Sequence, residues 1–124
     1  MLVGVDIVDI ERIKTAVERT PRFLHRIFTP REIEYCLNKK NPYPSLAVRF
    51  AAKEAVRKLH PLFSRGISFH DVEVINNKDG RPQLLLHNKA LVLQKEAGID
   101  GISISLSHAK YQAIATIVAQ ERVV

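Results

Sequence analysis

The segment RFAAKEAVRKL, residues 49 to 59, sets Arg49, Lys53, Arg57 and Lys58 around a single carboxylate, Glu54. On a helix advancing about 100° per residue, Val48, Ala51, Ala52, Ala55, Val56 and Leu59 form one apolar arc, with Arg49, Lys53 and Arg57 on a cationic arc opposite. Glu54 belongs to neither arc. It lies four residues from both Phe50 and Lys58, at the border where a buried helix meets a groove or solvent. One reading is an ordinary i,i+4 Glu54–Lys58 pair, worth about 0.2 to 0.5 kcal/mol. The other is a site acid, and a second carboxylate bears on it. Asp6 interrupts the apolar stretch LVGVDIVDI, and aspartate in mid-strand marks an exposed face, a bend or a ligand. One acid on a strand and one beside cations on a helix can converge on magnesium, which takes one or two protein carboxylates and fills its shell with waters and substrate phosphates. Arg49, Lys53, Arg57 and Lys58 would then face those phosphates, unless Arg49 and Lys53 form a solvated cationic face.

The totals bound the setting for that chemistry. A chain of 124 residues, 46% hydrophobic, is long enough for one domain with a real core, spanning residues 1–124. The excess of 19 Lys and Arg over 13 Asp and Glu, net +6 with a pI near 9.7, favours anionic partners: nucleic acid, nucleotides, acidic proteins or membrane surfaces. Nucleic acid is disfavoured, because the three Tyr and five Phe form no aromatic series between basic residues and no groove-reading motif collects the cations. No apolar run approaches the roughly 18 residues of a membrane span, and acids follow the first apolar run directly, unlike a signal peptide. A soluble, cytoplasmic protein without a membrane partner is expected. The lone Cys36 agrees with a reducing compartment and reads as a buried structural thiol. Zinc-ligand spacing, a Walker loop and a dinucleotide fingerprint are all missing from the sequence.

The elements that must position the acids follow from periodicity and punctuation. Val3, Val5 and Ile7 alternate onto one face of a first strand and leave Gly4, Asp6 and Val8 on the other. Asp9 is placed to cap a helix carrying Ile10, Ile13 and Val17, which stops near Thr20 and Pro21. Thr20 can cap a short turn through PRFLHRIF. In TPRE, Thr29 as N-cap, Pro30 at the first position and Glu32 three residues on form a capping box for a helix to about Asn38. NPYP breaks the chain, Ser45 caps the motif helix, and Pro61 ends it after His60. ISFHDVEVI and PQLLLH read as strands joined across NNKDG, with Gly80 available for a positive φ. Asn88 caps the helix NKALVLQKEAG, which stops at Gly98. GISISLS and YQAIATIVAQE close as an antiparallel pair with HAK at its tip. The predicted fold is α+β, a single compact domain of antiparallel strands with packed helices.

GVDIVDIERI, RIFTPREIEYC, RFAAKEAVRKL, ISFHDVEVINNKDGRPQL and ISISLSHAKYQAIATIVAQE together resemble the small bacterial 4'-phosphopantetheinyl transferases of the holo-[acyl-carrier-protein] synthase type. The likeness covers nearly the whole chain in order, and its most specific elements are the early G-x-D-I and the helical F-A-x-K-E-A. It implies a 4'-phosphopantetheinyl transferase-like fold and a magnesium-dependent transfer of the 4'-phosphopantetheine arm of coenzyme A to a serine of apo acyl carrier protein. The product would be adenosine 3',5'-bisphosphate, and the activity would support fatty acid biosynthesis.

By that resemblance Asp6 and Glu54 are the magnesium carboxylates, and Lys58 and His108 lie near the coenzyme A phosphates. The basic first helix, with Arg12 foremost, meets the carrier protein, and a homotrimer shares its active sites between subunits. Arg49 is a further candidate for phosphate. Displacement at phosphorus needs positioning and charge neutralisation more than covalent help, so Lys58 would steady the departing phosphate. Glu54 is the candidate acceptor for the serine proton, directly or through a water. His108, in the last hairpin, reads either as a substrate contact or as a solvated turn histidine. LHPLFSRGIS departs from a glycine-rich turn expected after the motif helix.

Overall fold

The structure is a computed structural model that describes residues 1–122. Strand β1 (Leu2–Asp9) leads into helix α1 (Ile10–Arg19), short helix α2 (Phe23–Ile27), α3 (Pro30–Leu37) and the 17-residue α4 (Tyr43–Leu59). Strands β2 (Val72–Asn76) and β3 (Pro82–Leu86), helix α5 (Asn88–Glu96), and strands β4 (Ile99–His108) and β5 (Gln112–Glu121) complete it. The expected α+β architecture is present. β1, β5 and β4 form one antiparallel sheet in that order, and β2 and β3 form a separate hairpin. No helix among the described residues is long and apolar enough to cross a membrane.

Most local signals act as their chemistry predicts. The Thr29 hydroxyl accepts from Glu32 N while Glu32 reaches back to Thr29 N, the capping box that starts α3. Thr20 ends α1, and Gly80 turns the β2–β3 hairpin at φ 87°. Several starts differ. Asp9 precedes α1 but makes no side-chain cap, its carboxylate accepting instead from Gln112 at 3.4 Å. The motif helix begins at Tyr43, two residues before Ser45, with Asn41 Oδ1 accepting from Tyr43 N. Asn88 is the first residue of α5 and not its cap, which is His87. Residues 69–71 wind into a 3-10 turn closed by a Ser68–Asp71 capping box, so the expected strand starts only at Val72.

α4 is the spine of the molecule. Leu46, Ala47, Ala51, Ala52, Ala55 and Val56 are fully buried and join two apolar clusters, one shared with β1, α1 and α3 and the other with β2, β3, α5 and β5. Small alanines let the sheet approach the helix axis closely. α4 is covered on its cationic side as well. Lys53 and Arg49 are 1% and 2% exposed, so these two cations of the arc are interior and do not form a solvated face.

Candidate active site

β1 turns Gly4, Asp6 and Val8 toward α4 and leaves Val3, Val5 and Ile7 exposed on the other face of the sheet. α4 supplies Glu54 and, one turn later, Lys58. Lys58 Nζ donates to Asp6 Oδ1 at 2.7 Å and to the Val5 carbonyl at 3.2 Å, which ties the end of α4 to the acidic strand. Lys58 is therefore not the partner of Glu54 in an i,i+4 pair, the first of the two readings, but bridges elements 52 residues apart in sequence. Glu54 is half-buried, with Arg57 at 3.8 Å, too long for a hydrogen bond. Asp6 and Lys58 thus meet within the chain, and Glu54 stands one helical turn before Lys58.

That donor set suits magnesium. Among the described residues no group of three or more His, Cys, Asp or Glu is placed to hold a metal. Two carboxylates, one of which shares an oxygen with the Lys58 ammonium, match an ion that leaves most of its shell to water and phosphate. Asp6 and Glu54 are the residues that would hold it.

Arg49 stands apart from this cluster, about 140° around α4 from Glu54 and about 180° from Lys58. Its guanidinium donates to Ser45 O at 3.1 Å and Asn76 Oδ1 at 2.5 Å, and stacks 4.6 Å from the Tyr35 ring centre. The phosphate contact expected of Arg49 is thereby corrected to a packing role between α3, α4 and β2. Lys53 is likewise structural. Its ammonium meets Glu32 Oε1 at 2.8 Å, Phe69 O at 3.0 Å and Val72 O. Burial lowers the Lys53 pKa against the opposing pull of Glu32.

Two other candidates lie at the far end of the sheet. His108 is exposed at the end of β4, two strands from β1, with Nδ1 3.4 Å from Ala109 O. It shares a face with Asp6, but strand spacing and rise put their Cα atoms about 12 Å apart. It lines a cavity of about 200 Å³ with Ile7, Ser107, Gln112 and Ile114. Arg12 is exposed in the first turn of α1, and Ile10 N donates to Tyr111 O at 2.9 Å, so the basic helix starts beside the same hairpin tip.

Three features escaped the sequence. Glu73 is buried, and its carboxylate accepts from Thr29 Oγ1 at 2.5 Å, Arg31 at 2.5 and 3.2 Å and His87 Nε2 at 3.0 Å. Burial would raise its pKa, yet these hydrogen bonds and the Arg31 charge together hold it down to about 2. In the sequence it looks like one polar residue in an alternating strand. Phe23, Phe50 and Phe69 stack in a row at 6.4 and 6.0 Å, with Arg57 over Phe69 at 4.3 Å, joining the basic α1–α2 segment to the helix that carries Glu54. A groove of about 570 Å³ runs between β3 and β4, where Arg81, Gln83, Ser103 and Ser105 are among the lining residues. In the sequence, NNKDG reads only as the hairpin connection.

The chain resembles known proteins over almost its full length. Residues 2–116 match the 4'-phosphopantetheinyl transferase superfamily. Holo-[acyl-carrier-protein] synthase of Caldanaerobacter subterraneus subsp. tengcongensis is 44% identical over 119 residues, 96% of this chain and 94% of that protein. The synthase of Dehalococcoides mccartyi is 48% identical over 119 residues, 95% of this chain and 97% of the relative. Among solved structures, the Neisseria meningitidis synthase superposes with a TM-score of 0.81 at 32% identity, covering 98% of this chain and all of that one (100%). The Helicobacter pylori synthase in complex with coenzyme A gives 0.78 at 32%, covering 95% and 99%. With residues 2–116 matching the family and relatives 44% and 48% identical over almost the whole chain, the chain belongs to the 4'-phosphopantetheinyl transferase superfamily.

Proposed function

We propose that this protein is a holo-[acyl-carrier-protein] synthase, which moves the 4'-phosphopantetheine arm of coenzyme A onto a serine of apo acyl carrier protein. The observation that carries the reading is the Asp6–Lys58 contact of 2.7 Å one helical turn from Glu54. The serine oxygen attacks the phosphorus that bears the pantetheine arm. The bond from that phosphorus to the bridging oxygen breaks, and adenosine 3',5'-bisphosphate leaves with the electron pair. Glu54, half-buried at the helix border, takes the serine proton. Lys58, 55% exposed and held by a flexible stem, releases Asp6 and follows the charge that grows on the departing phosphate. Asp6 and Glu54 would hold magnesium, whose charge would neutralise the pyrophosphate.

The reading extends to assembly and partners. Val3, Val5 and Ile7 of β1 and Ile114 of β5 are 58, 48, 56 and 37% exposed on one sheet face. A contiguous apolar face of this kind fits burial against further copies of the chain, in keeping with the homotrimer that the resemblance implies. Within one chain His108 stands away from Asp6, so a neighbouring subunit is the route by which it would reach the same coenzyme A. The basic Arg12 surface fits an acidic carrier protein. Residues 1–124 act as one transferase unit in the cytoplasm, serving fatty acid biosynthesis.

The direct test is mass spectrometry of apo acyl carrier protein incubated with coenzyme A, magnesium and the protein. The expected result is a carrier protein heavier by one phosphopantetheine and an equal amount of adenosine 3',5'-bisphosphate. Asp6→Ala and Glu54→Ala should each remove most turnover while keeping wild-type circular dichroism. Wild-type protein that leaves the carrier unmodified with both magnesium and manganese would refute the reading.

A further inference from the structure

Gly4 stands two residues before Asp6, on the β1 face that packs against α4. The glycines with positive φ are Gly66, Gly80 and Gly98, so Gly4 has a backbone that alanine could adopt, and the demand for glycine there is steric. A Cβ at Gly4 would drive into the Ala55 carbonyl oxygen, 3.2 Å from the Ala55 carbonyl carbon and 3.5 Å from Leu59 N. All three neighbours are main-chain atoms of the α4 turn that follows Glu54 and carries Lys58. None can rotate aside as a side chain would.

We propose that Gly4 is a positioning residue, whose missing side chain sets the distance between β1 and α4 at which Asp6 reaches Lys58 and works with Glu54. This rests on the transferase reading above. Alanine at this position must push β1 away from α4 by about 1 Å to regain van der Waals contact. The displacement is transmitted to Asp6 because Gly4 and Asp6 share one strand face, and Val5, between them, offers its carbonyl to Lys58 at 3.2 Å. A misplacement of that size in a reacting site costs roughly 10²-fold in rate.

The test compares wild type, Gly4→Ala, Asp6→Glu and Gly4→Ala/Asp6→Glu by transfer kinetics, by Mn²⁺ titration read from the electron paramagnetic resonance of the free ion, and by circular dichroism. Gly4→Ala should fold, lose about 10²-fold in kcat and bind Mn²⁺ more weakly, with the KM for carrier protein near wild type. Glutamate at position 6 is longer by one carbon–carbon bond, about 1.5 Å, and spans the widened gap. The double variant should therefore recover at least about tenfold over Gly4→Ala, although Asp6→Glu alone impairs the wild type. A loss that is merely structural would not be repaired by lengthening a carboxylate. Wild-type kinetics in Gly4→Ala, failure of that variant to fold, or no recovery in the double variant would each overturn the positioning role. If the wild type transfers nothing, the transferase reading falls, and the Mn²⁺ titrations alone still decide for or against Gly4 by the same pattern of loss and recovery.

Discussion

Replacing Lys53 by methionine tests whether the interior of α4 holds the site in place. The substitution keeps an unbranched stem of similar volume and removes the ammonium, which is 1% exposed. Glu32, also fully buried, retains Thr29 N at 3.0 Å and Val74 N at 2.9 Å but loses its ion-pair partner at 2.8 Å. A buried charge stripped of its partner costs about 3 to 5 kcal/mol. The carbonyls of Phe69 and Val72 lose a donor besides, so about 4 kcal/mol is expected. With an unfolding entropy of about 2.1 cal/mol/K per residue, that loss lowers Tm by about 15 °C in a chain of 124 residues. Urea unfolding and calorimetry at one fixed protein concentration would measure it. Lys53→Met/Glu32→Gln, which removes both charges and keeps an acceptor oxygen for Thr29 N or Val74 N, should be more stable than Lys53→Met alone. A loss below about 1 kcal/mol for the single variant, or a double variant less stable than the single, would refute the reasoning.

Three further outcomes follow. Because the Glu73 pKa is held down to about 2, its stabilising contribution is complete above the ordinary glutamate range and is lost as pH falls toward 2; Glu73→Gln should flatten the acid limb of urea midpoints measured from about pH 6 to 3, and an unchanged limb would show that the network is not linked to folding. Arg12→Glu should raise the KM for carrier protein and weaken its salt dependence at unchanged coenzyme A affinity, whereas identical carrier kinetics at low and high salt would move the docking surface elsewhere. Val5→Lys places a charge in the exposed apolar face of β1 and should yield monomers by light scattering, against the trimer proposed for the wild type; a monomeric wild type would remove the shared-site reading.

Much of the scaffold was legible because local chemistry governs it. The TPRE capping box, the stop of α1 at Thr20 and the Gly80 turn each depend on atoms within a few residues of one another, and such contacts survive any tertiary arrangement. The two acids also stood out in the sequence, since Asp6 breaks a strand pattern and Glu54 escapes both arcs of its helix. Periodicity can say that Val3, Val5 and Ile7 share a face, but not which face meets the helix. Packing decided that, and it chose Gly4, Asp6 and Val8 because only glycine lets β1 come down on the Ala55 carbonyl. Helical spacing paired Glu54 with Lys58, yet the partner that Lys58 takes is Asp6, 52 residues away, and a contact of that range is decided by the fold alone. The cations of α4 show the same division: their spacing marks one arc, but whether that arc meets water depends on α3 and β2 closing over it. Once they close, burial makes Lys53 and Arg49 seek Glu32, Asn76 and backbone carbonyls, because a charge removed from water must find partners within reach.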